Sequence, residues 1–339
     1  MNRHPIVLVS IVLLFLFSSS AIAQQSAIYR DQDADLKEGL ELFHKAQFGA
    51  ASHKFAEYLR RTDGQEATSR SDASFYHAMC ALKLDQDNGE SLVVTFLDRY
   101  PESSKANLAR FELGKYLFVN KKFKRASTWL QQVKKQNLGA EFQTEYQFYL
   151  GYCFFIDKAY KKAQPLFEQV MSNENEFKEP ASYYYYYTLY QDKEYEKALE
   201  GFLSLQTSKE FGNTSRFYIV QIYYAQEKYD EVISLASELM KNAKPDQLIE
   251  MARIIGDSYF RLNQFSEAIP YLEQYRKGSK TISREEHYAL GYAYYMNHQN
   301  PEAVKELELI SDSKDLLTQS SNHLLGGILV KMNDKLKAR

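Results

Sequence analysis

The sequence predicts an all-α protein, an α-solenoid in which antiparallel helix pairs stack into a right-handed superhelix. Three observations predict this fold class. Glycine and proline are scarce, at 14 and 7 of 339 residues, which favours helices joined by short turns over a turn-rich β architecture. Small residues recur at intervals of about 35 residues or multiples of it, as Gly39, Gly114, Gly151, Gly256, Gly291 and Gly326. An alanine follows each glycine twelve residues later, as Ala51, Ala126, Ala163, Ala268, Ala303 and Ala338.

This paired spacing has a physical cause. Two helices approach closely where both carry a small side chain, so the glycine and the alanine predict the contact point of each helix pair. An aromatic residue precedes the alanine by three positions, as at Phe123 and Tyr160, and an apolar residue follows it by four, as at Leu130 and Phe167. These offsets place apolar residues along one stripe of a helix, which strand alternation does not produce.

In chain order, the repeat divides residues 35–339 into about eight units and a partial ninth. The units lie near 35–66, 72–103, 107–140, 144–177, 179–209, 213–244, 249–280 and 284–315, and the partial ninth is 318–339. Variant units carry Tyr186 or Val220 in the glycine position, and a degenerate second unit carries Ala78 or Cys80 there. The connecting segments are short and polar, so the sequence predicts one continuous superhelix.

The N-terminus carries an export pattern. A short basic segment at Asn2–His4 precedes the apolar run Ile6–Phe17, and Ala21–Ala23 matches an A-x-A cleavage site. The run is shorter than the roughly 20 residues that span a bilayer comfortably. We therefore predict a signal peptide over 1–23, a polar lead over 24–34 and a mature protein with no membrane span. A retained signal anchor is the alternative. The mature chain is expected to be exported and periplasmic or envelope-associated.

Composition argues against several classes of function. With a net charge of −2, the chain lacks the excess of positive charge that is typical of nucleic-acid-binding proteins. The seven histidines form no H-x3-H or H-E-x-x-H pair, and two distant cysteines cannot supply a zinc set. Neither a P-loop nor a G-x-G-x-x-G motif is present. We therefore expect no enzyme activity, no metal and no cofactor, and interpret Gly326-Gly327 as a point of close helix packing.

The two cysteines are predicted to be buried thiols without a bridge. Cys80 and Cys153 fall in first helices that lie two repeats apart. Neighbouring helices stack roughly 8–10 Å apart, whereas a disulfide needs Cα atoms within about 7 Å.

A repeat near 34 residues, with an early small residue and an A-x3-F step such as Ala163 to Phe167, resembles the tetratricopeptide repeat of exported bacterial proteins. The resemblance covers roughly residues 35–339. It departs from the family because no unit carries the early tryptophan, and Trp129 lies in a second helix. The ending Tyr100-Pro101-Glu102-Ser103 resembles repeats of bacterial envelope-assembly and Tol-associated proteins.

The resemblance implies that the first helix of each repeat lines a concave binding face. Its inner positions carry aromatic residues here, and not the Lys and Asn that hold the carboxylate tails of chaperones. The predicted lining consists of Phe111, Phe118, Phe148, Tyr152, Phe155, Tyr183, Tyr187, Tyr190, Phe217, Tyr224, Phe260, Tyr288, Tyr292 and Tyr295. Aromatic rings supply a large contact area at modest entropic cost. The alternative is that many of these rings pack between neighbouring helices as core.

Three functions are consistent with such a face. The leading hypothesis is a non-enzymatic envelope scaffold that binds a protein or peptide partner in the groove. A polysaccharide-binding or peptidoglycan-associated module is an alternative, because aromatic rings also stack on sugars. The third is a structural subunit that self-associates through its C-terminal end. There, Leu324, Leu325, Ile328 and Leu329 form an apolar surface without a complete following helix, so we expect either a longer array or end-to-end association.

Overall fold

A computed structural model describes residues 34–64, 68–242, 244–310 and 313–332. All regular structure in these residues is helical, with no β-strand among them, which confirms the all-α prediction. The predicted signal peptide, most of the polar lead and Ala338 lie outside the described residues. The chain divides into two compact units, Met1–Phe177 and Lys178–Arg339.

The first unit consists of helix pairs joined by short turns. Helix α1 spans 34–44, and it is followed by α2 (Phe48–Arg61), α3 (Thr68–Lys83), α4 (Gly89–Arg99), α5 (Ala106–Val119), α6 (Phe123–Leu130), α7 (Ala140–Ile156) and α8 (Tyr160–Met171). A 3-10 turn, Lys135–Asn137, connects α6 to α7. Within each pair the helices pack along their length, so the short turns make them antiparallel.

The second unit repeats this arrangement. Its helices are α9 (Lys178–Gln191), α10 (Tyr195–Leu205), α11 (Gly212–Ala225), α12 (Tyr229–Ser234), α13 (Ala236–Asn242), α14 (Pro245–Arg261), α15 (Phe265–Gly278), α16 (Arg284–Met296), α17 (Asn300–Leu307) and α18 (Leu316–Lys331). The second helix of the repeat that begins with α11 is divided into α12 and α13 at Leu235. A 3-10 turn, Glu308–Ile310, ends α17.

The glycine and alanine positions lie where the helices of a pair meet. The described alanines of the pattern are completely buried. Gly39, Gly114, Gly151, Gly256 and Gly291 each face the apolar side chain four residues beyond the alanine. A Cβ at Gly114 would lie 2.6 Å from Leu130, and one at Gly256 would lie 2.9 Å from Leu272. Because real Cβ atoms do not approach that closely, glycine allows the large apolar side chain to pack against the facing backbone.

One repeat reverses this arrangement of large and small residues. Its first helix, α9, carries Tyr186 in the glycine position, and the facing helix α10 carries Gly201. A Cβ at Gly201 would lie 2.2 Å from the Tyr186 ring. The pair therefore keeps its close approach with the large residue on the first helix and the small one on the second.

The turn between the two helices of each repeat has the same backbone conformation. A non-glycine residue with φ between 52° and 62° occupies this turn in eight successive repeats: Ala46, Asp85, Lys121, Lys158, Lys193, Glu227, Asn263 and His298. In most repeats this residue lies five positions before the alanine. The left-handed conformation ends the first helix and directs the chain back along it. Sequence reasoning missed these positions because none is glycine.

Both cysteine predictions are confirmed. Cys80 and Cys153 are buried free thiols. Burial raises the pKa of each thiol to about 12, which keeps both protonated at neutral pH.

Two predictions for the C-terminal helix α18 are wrong. The predicted exposed surface is covered, because Leu325, Ile328 and Leu329 are buried and Leu324 packs against the core of the preceding repeats. Gly327 is not a packing point, since a Cβ added there would meet no atom within 4 Å. The apolar face of α18 is turned toward α16 and the 3-10 turn, which the sequence pattern of one helix cannot specify.

Candidate functional site

The predicted aromatic lining lies on the first helices, and its members differ in accessibility. Phe111 is fully buried and Phe148 is only 8% exposed, so these two rings belong to the core and are corrected from the predicted lining. Phe111 packs against Phe142 and Tyr146, and Phe148 stacks on Phe177 at 4.8 Å. The partly exposed members are Phe118, Tyr152, Phe155, Tyr183, Tyr187, Tyr190, Phe217, Tyr224, Phe260, Tyr288, Tyr292 and Tyr295.

In the first unit, three predicted rings form a row across two neighbouring first helices. Phe118 of α5 lies 5.4 Å from Tyr152 of α7, and Tyr152 lies 6.0 Å from Phe155. Phe123 and Tyr160, which begin the second helices α6 and α8, extend the row at its edge. The row therefore joins two repeats through ring contacts.

In the second unit, four tyrosines form what we call the tyrosine cluster: Tyr183, Tyr187, Tyr190 and Tyr218. Tyr218 of α11 is its centre, with ring centroids 6.5, 5.2 and 5.1 Å from the three tyrosines of α9. Phe202 of α10 lies beneath Tyr218, stacked at 5.2 Å. The cluster thus connects the partly exposed face to the core.

Sequence reasoning missed Tyr218 and named its neighbour Phe217 instead. Tyr218 lies two residues before the Val220 position, and Tyr149 lies two residues before Gly151. Tyr149 makes the equivalent contact with the preceding repeat, since its ring lies 4.3 Å from Phe118. An aromatic residue at this offset is the signal that would have found both rings.

Three tyrosines of the cluster, Tyr183, Tyr190 and Tyr218, have a raised pKa and stay neutral over the physiological range. Burial, together with neighbouring tyrosines, raises the pKa of Tyr218 well above its usual value, and burial raises that of Tyr183 to about 12. Burial also raises the pKa of Tyr190, whose hydroxyl donates to Gln221 Oε1 at 2.7 Å. These phenols therefore act as hydrogen-bond donors and not as anions.

A polar group lies beside the aromatic rings, between α11 and α14. The Tyr224 hydroxyl donates to Asp257 Oδ2 at 2.7 Å, and the Arg253 guanidinium lies 5.4 Å from the centre of the same ring. Arg253 also donates two hydrogen bonds to the Glu250 carboxylate, at 3.0 and 2.7 Å. Burial and the Asp257 hydrogen bond raise the pKa of Tyr224 to about 12.

The remaining predicted rings gather between α14 and α16. Tyr292 contacts Phe260 at 5.9 Å, Tyr288 at 5.9 Å and Tyr295 at 6.4 Å. The Lys331 ammonium lies 5.2 Å from the centre of the Tyr295 ring. The predicted lining therefore separates into local groups, each of which joins adjacent first helices.

The arrangement is suited to contact and hydrogen bonding. No group of histidine, cysteine or carboxylate side chains that could hold a metal ion occurs among the described residues. In the same part of the chain, no helix is both long and apolar enough to cross a bilayer.

The helix-pair repeat, with its recurrent glycine contact and left-handed turn, defines an α-solenoid class of protein. Residues 255–313, which include α15 and α16, match the family model described as tetratricopeptide repeat. This stretch of the chain is therefore similar to the tetratricopeptide repeat.

Several solved structures resemble the chain at low sequence identity. One is a tetratricopeptide repeat protein from Parabacteroides merdae, with 13% identity and a TM-score of 0.43, covering 76% of this chain and 98% of its own. Another is Pseudomonas aeruginosa pilF, with 13% identity and a TM-score of 0.46, covering 64% and 96%. The C-terminal part of a repeat protein from Cytophaga hutchinsonii has 14% identity and a TM-score of 0.41, covering 84% and 98%. No curated protein shows significant similarity to the sequence.

Proposed function

We propose that this protein is a non-enzymatic scaffold of the cell envelope that binds a segment of a partner protein against the aromatic face of its first helices. The tyrosine cluster is the observation that carries the proposal. Its rings are partly exposed and ordered by contacts with one another, so little side-chain entropy remains to be lost on binding. Tyrosine combines a large apolar area with a hydroxyl, which suits a mixed protein surface.

The cluster also explains why a peptide would be held in a particular orientation. Tyr187 and Tyr218 meet edge to face, with ring planes 90° apart, which presents both a ring face and a ring edge. The Arg253–Glu250 pair and the Tyr224–Asp257 hydrogen bond provide polar contacts farther along the unit. The bound peptide would place an apolar side chain on the tyrosines and its polar backbone beside these pairs. Together these contacts would select one register of the peptide along the helices.

Replacing Tyr187 and Tyr190 together with alanine is expected to reduce partner capture from envelope extracts by about tenfold or more, because buried tyrosines at interfaces are frequent hot spots. Capture is measured by affinity purification and mass spectrometry. The control replaces Tyr259 and Tyr271, which stack on each other at 5.7 Å between α14 and α15. Both variants should retain the helical circular-dichroism signal. Equal capture by the wild type and the Tyr187/Tyr190 variant contradicts the proposal.

A sedimentation assay with the same wild-type protein distinguishes protein binding from glycan binding. A wild-type protein that sediments with purified peptidoglycan and captures no envelope protein would replace the scaffold proposal with the glycan-binding alternative.

The envelope location is proposed from the export pattern at residues 1–23. Cell fractionation and N-terminal sequencing should recover a mature chain that begins at Gln24 in the periplasmic or envelope fraction. A chain that retains Met1 in the cytosolic fraction would contradict export while leaving the partner-binding proposal intact.

A further inference from the structure

A second candidate surface lies on the edge of the first unit and contains no residue of the tyrosine cluster. We call it the turn edge, and it comprises residues 119–124 and 156–158, where α5 turns into α6 and α7 turns into α8. Lys121 and Lys158 have φ of 58° and 57°, so the two turns have the same backbone conformation in consecutive repeats. Equivalent residues of the two turns therefore emerge on the same edge of the unit.

The turn edge exposes two aliphatic side chains at equivalent positions. Val119 and Ile156 each lie two residues before the left-handed lysine, and they are 64% and 45% exposed. Leu84, next to the equivalent turn at Asp85 in the same unit, is also exposed, at 41%. Two exposed aliphatic side chains at equivalent positions of adjacent repeats indicate a contact surface more strongly than a single exposed residue does.

A cavity of about 280 Å³ opens beside Ile156. Cys153 and Phe123 contribute apolar walls, and Ser127, Thr128 and Gln131 of α6 contribute polar groups. The Gln131 amide donates to Ser127 Oγ at 3.0 Å, which orders one side of the opening. The cavity is large enough for one leucine or phenylalanine side chain, with polar groups beside it for the backbone that carries that side chain.

Lys124 lines this opening, and three more lysines lie within two residues of lining residues along the chain. Lys121, Lys122, Lys124 and Lys158 are exposed, and within the described part of the chain none of them forms an ion pair. Arg125 is paired with Glu90, and Asp157 also lines the cavity beside Lys124. The whole chain has a net charge of −2, so this concentration of cations is local.

We infer that the turn edge binds an acidic segment of a partner protein, with one apolar side chain of that segment in the cavity beside Ile156. The cations select carboxylates, and the exposed aliphatic residues cover the apolar side chain. The cavity and its hydroxyl and amide groups favour a peptide over a lipid surface, since a bilayer would contact the lysines and aliphatic residues without filling a side-chain cavity. This surface shares Phe123 with the edge of the aromatic row of the first unit, but none of its residues belongs to the tyrosine cluster on which the proposed function rests.

The probe is an array of short synthetic peptides in which a central leucine or phenylalanine is flanked by glutamate, by serine or by lysine. The full chain should bind only the glutamate-flanked peptides, and adding salt should weaken the binding. By fluorescence anisotropy, Lys122→Glu with Lys124→Glu should weaken binding at least about tenfold. Ile156→Ser should weaken it about fivefold, because the apolar contact beside the cavity is lost.

Each variant has a matched control. Lys193→Glu with Lys209→Glu changes the net charge equally at exposed positions of the other unit. Met296 occupies the position equivalent to Ile156 and is 43% exposed, so Met296→Ser tests a general loss of exposed apolar surface. Both controls should leave peptide binding unchanged, and thermal unfolding should show that all variants are folded.

The inference is wrong if the glutamate-flanked peptides do not bind, or if the controls weaken binding as much as the turn-edge variants. Sedimentation with vesicles of phosphatidylcholine and phosphatidylglycerol, without peptide binding, would assign the edge to an anionic membrane surface instead. Weaker peptide binding by the Tyr187/Tyr190 variant alone would place the acidic peptide on the aromatic face. Each of these results overturns the proposed site.

Discussion

Replacing Phe202 with alanine is expected to lower the free energy of unfolding of the second unit by about 3–5 kcal/mol. The Phe202 side chain is completely buried, and its ring stacks on Tyr218 with planes 20° apart. It also contacts Tyr183 and Tyr186, at 6.1 and 6.2 Å. The substitution removes this ring from the centre of the core and leaves a cavity beneath the tyrosine cluster.

Denaturant unfolding followed by circular dichroism measures this change. Phe202→Leu is the control, because leucine retains much of the volume and should cost less than about half as much. The near-ultraviolet signal of the tyrosines should change more in the alanine variant, since Tyr218 loses the ring on which it stacks. A loss of stability below about 1 kcal/mol would mean that the ring is not in the core contact described here.

Replacing Gly201 with alanine is expected to destabilise the second unit by about 1–3 kcal/mol. The added methyl group would lie 2.2 Å from the Tyr186 ring, so the ring or the helix must shift. Helix propensity acts in the opposite direction, because alanine is better than glycine in a helix interior by roughly 0.5–1 kcal/mol. The steric term is expected to dominate at this separation.

A double-mutant cycle isolates the contact. In a Tyr186→Ala background the Gly201→Ala substitution should become neutral or stabilising, since the ring that it meets is gone. Gly327→Ala in α18 is the matched control, because nothing lies within 4 Å of its added Cβ and the unit should gain roughly 0.5–1 kcal/mol. Equal destabilisation by Gly201→Ala in both backgrounds would disprove the proposed exchange of large and small residues.

The recurring spacing predicted the helix pairs because it reports contacts inside a repeat. Gly114 and Ala126 lie on helices joined by a short turn, so their separation in sequence determines whether they face each other. The spacing of neighbouring helices likewise predicted that the Cys80 and Cys153 thiols would be buried and unpaired, as they are. Local geometry is sufficient for such inferences.

The aromatic face was only partly predictable because its contacts run between repeats. Phe148 occupies a predicted lining position, yet Phe177 from the segment before α9 covers it. Tyr218 was missed although three tyrosines of the previous first helix converge on it. Which side chain of a helix meets the next repeat depends on the offset between repeats, and the pattern within one repeat does not report that offset.

By itself, the sequence determined that this protein is a series of antiparallel helix pairs, because the side chains that specify a pair are close together along the chain. Only the tertiary structure decided which aromatic rings are accessible, that Gly201 makes room for Tyr186, and that the leucines of α18 pack against the preceding repeats. It also decided that Val119 and Ile156 emerge beside unpaired lysines. These properties depend on packing between elements, where the direction of a side chain and the shape of its neighbour matter as much as its position in the repeat.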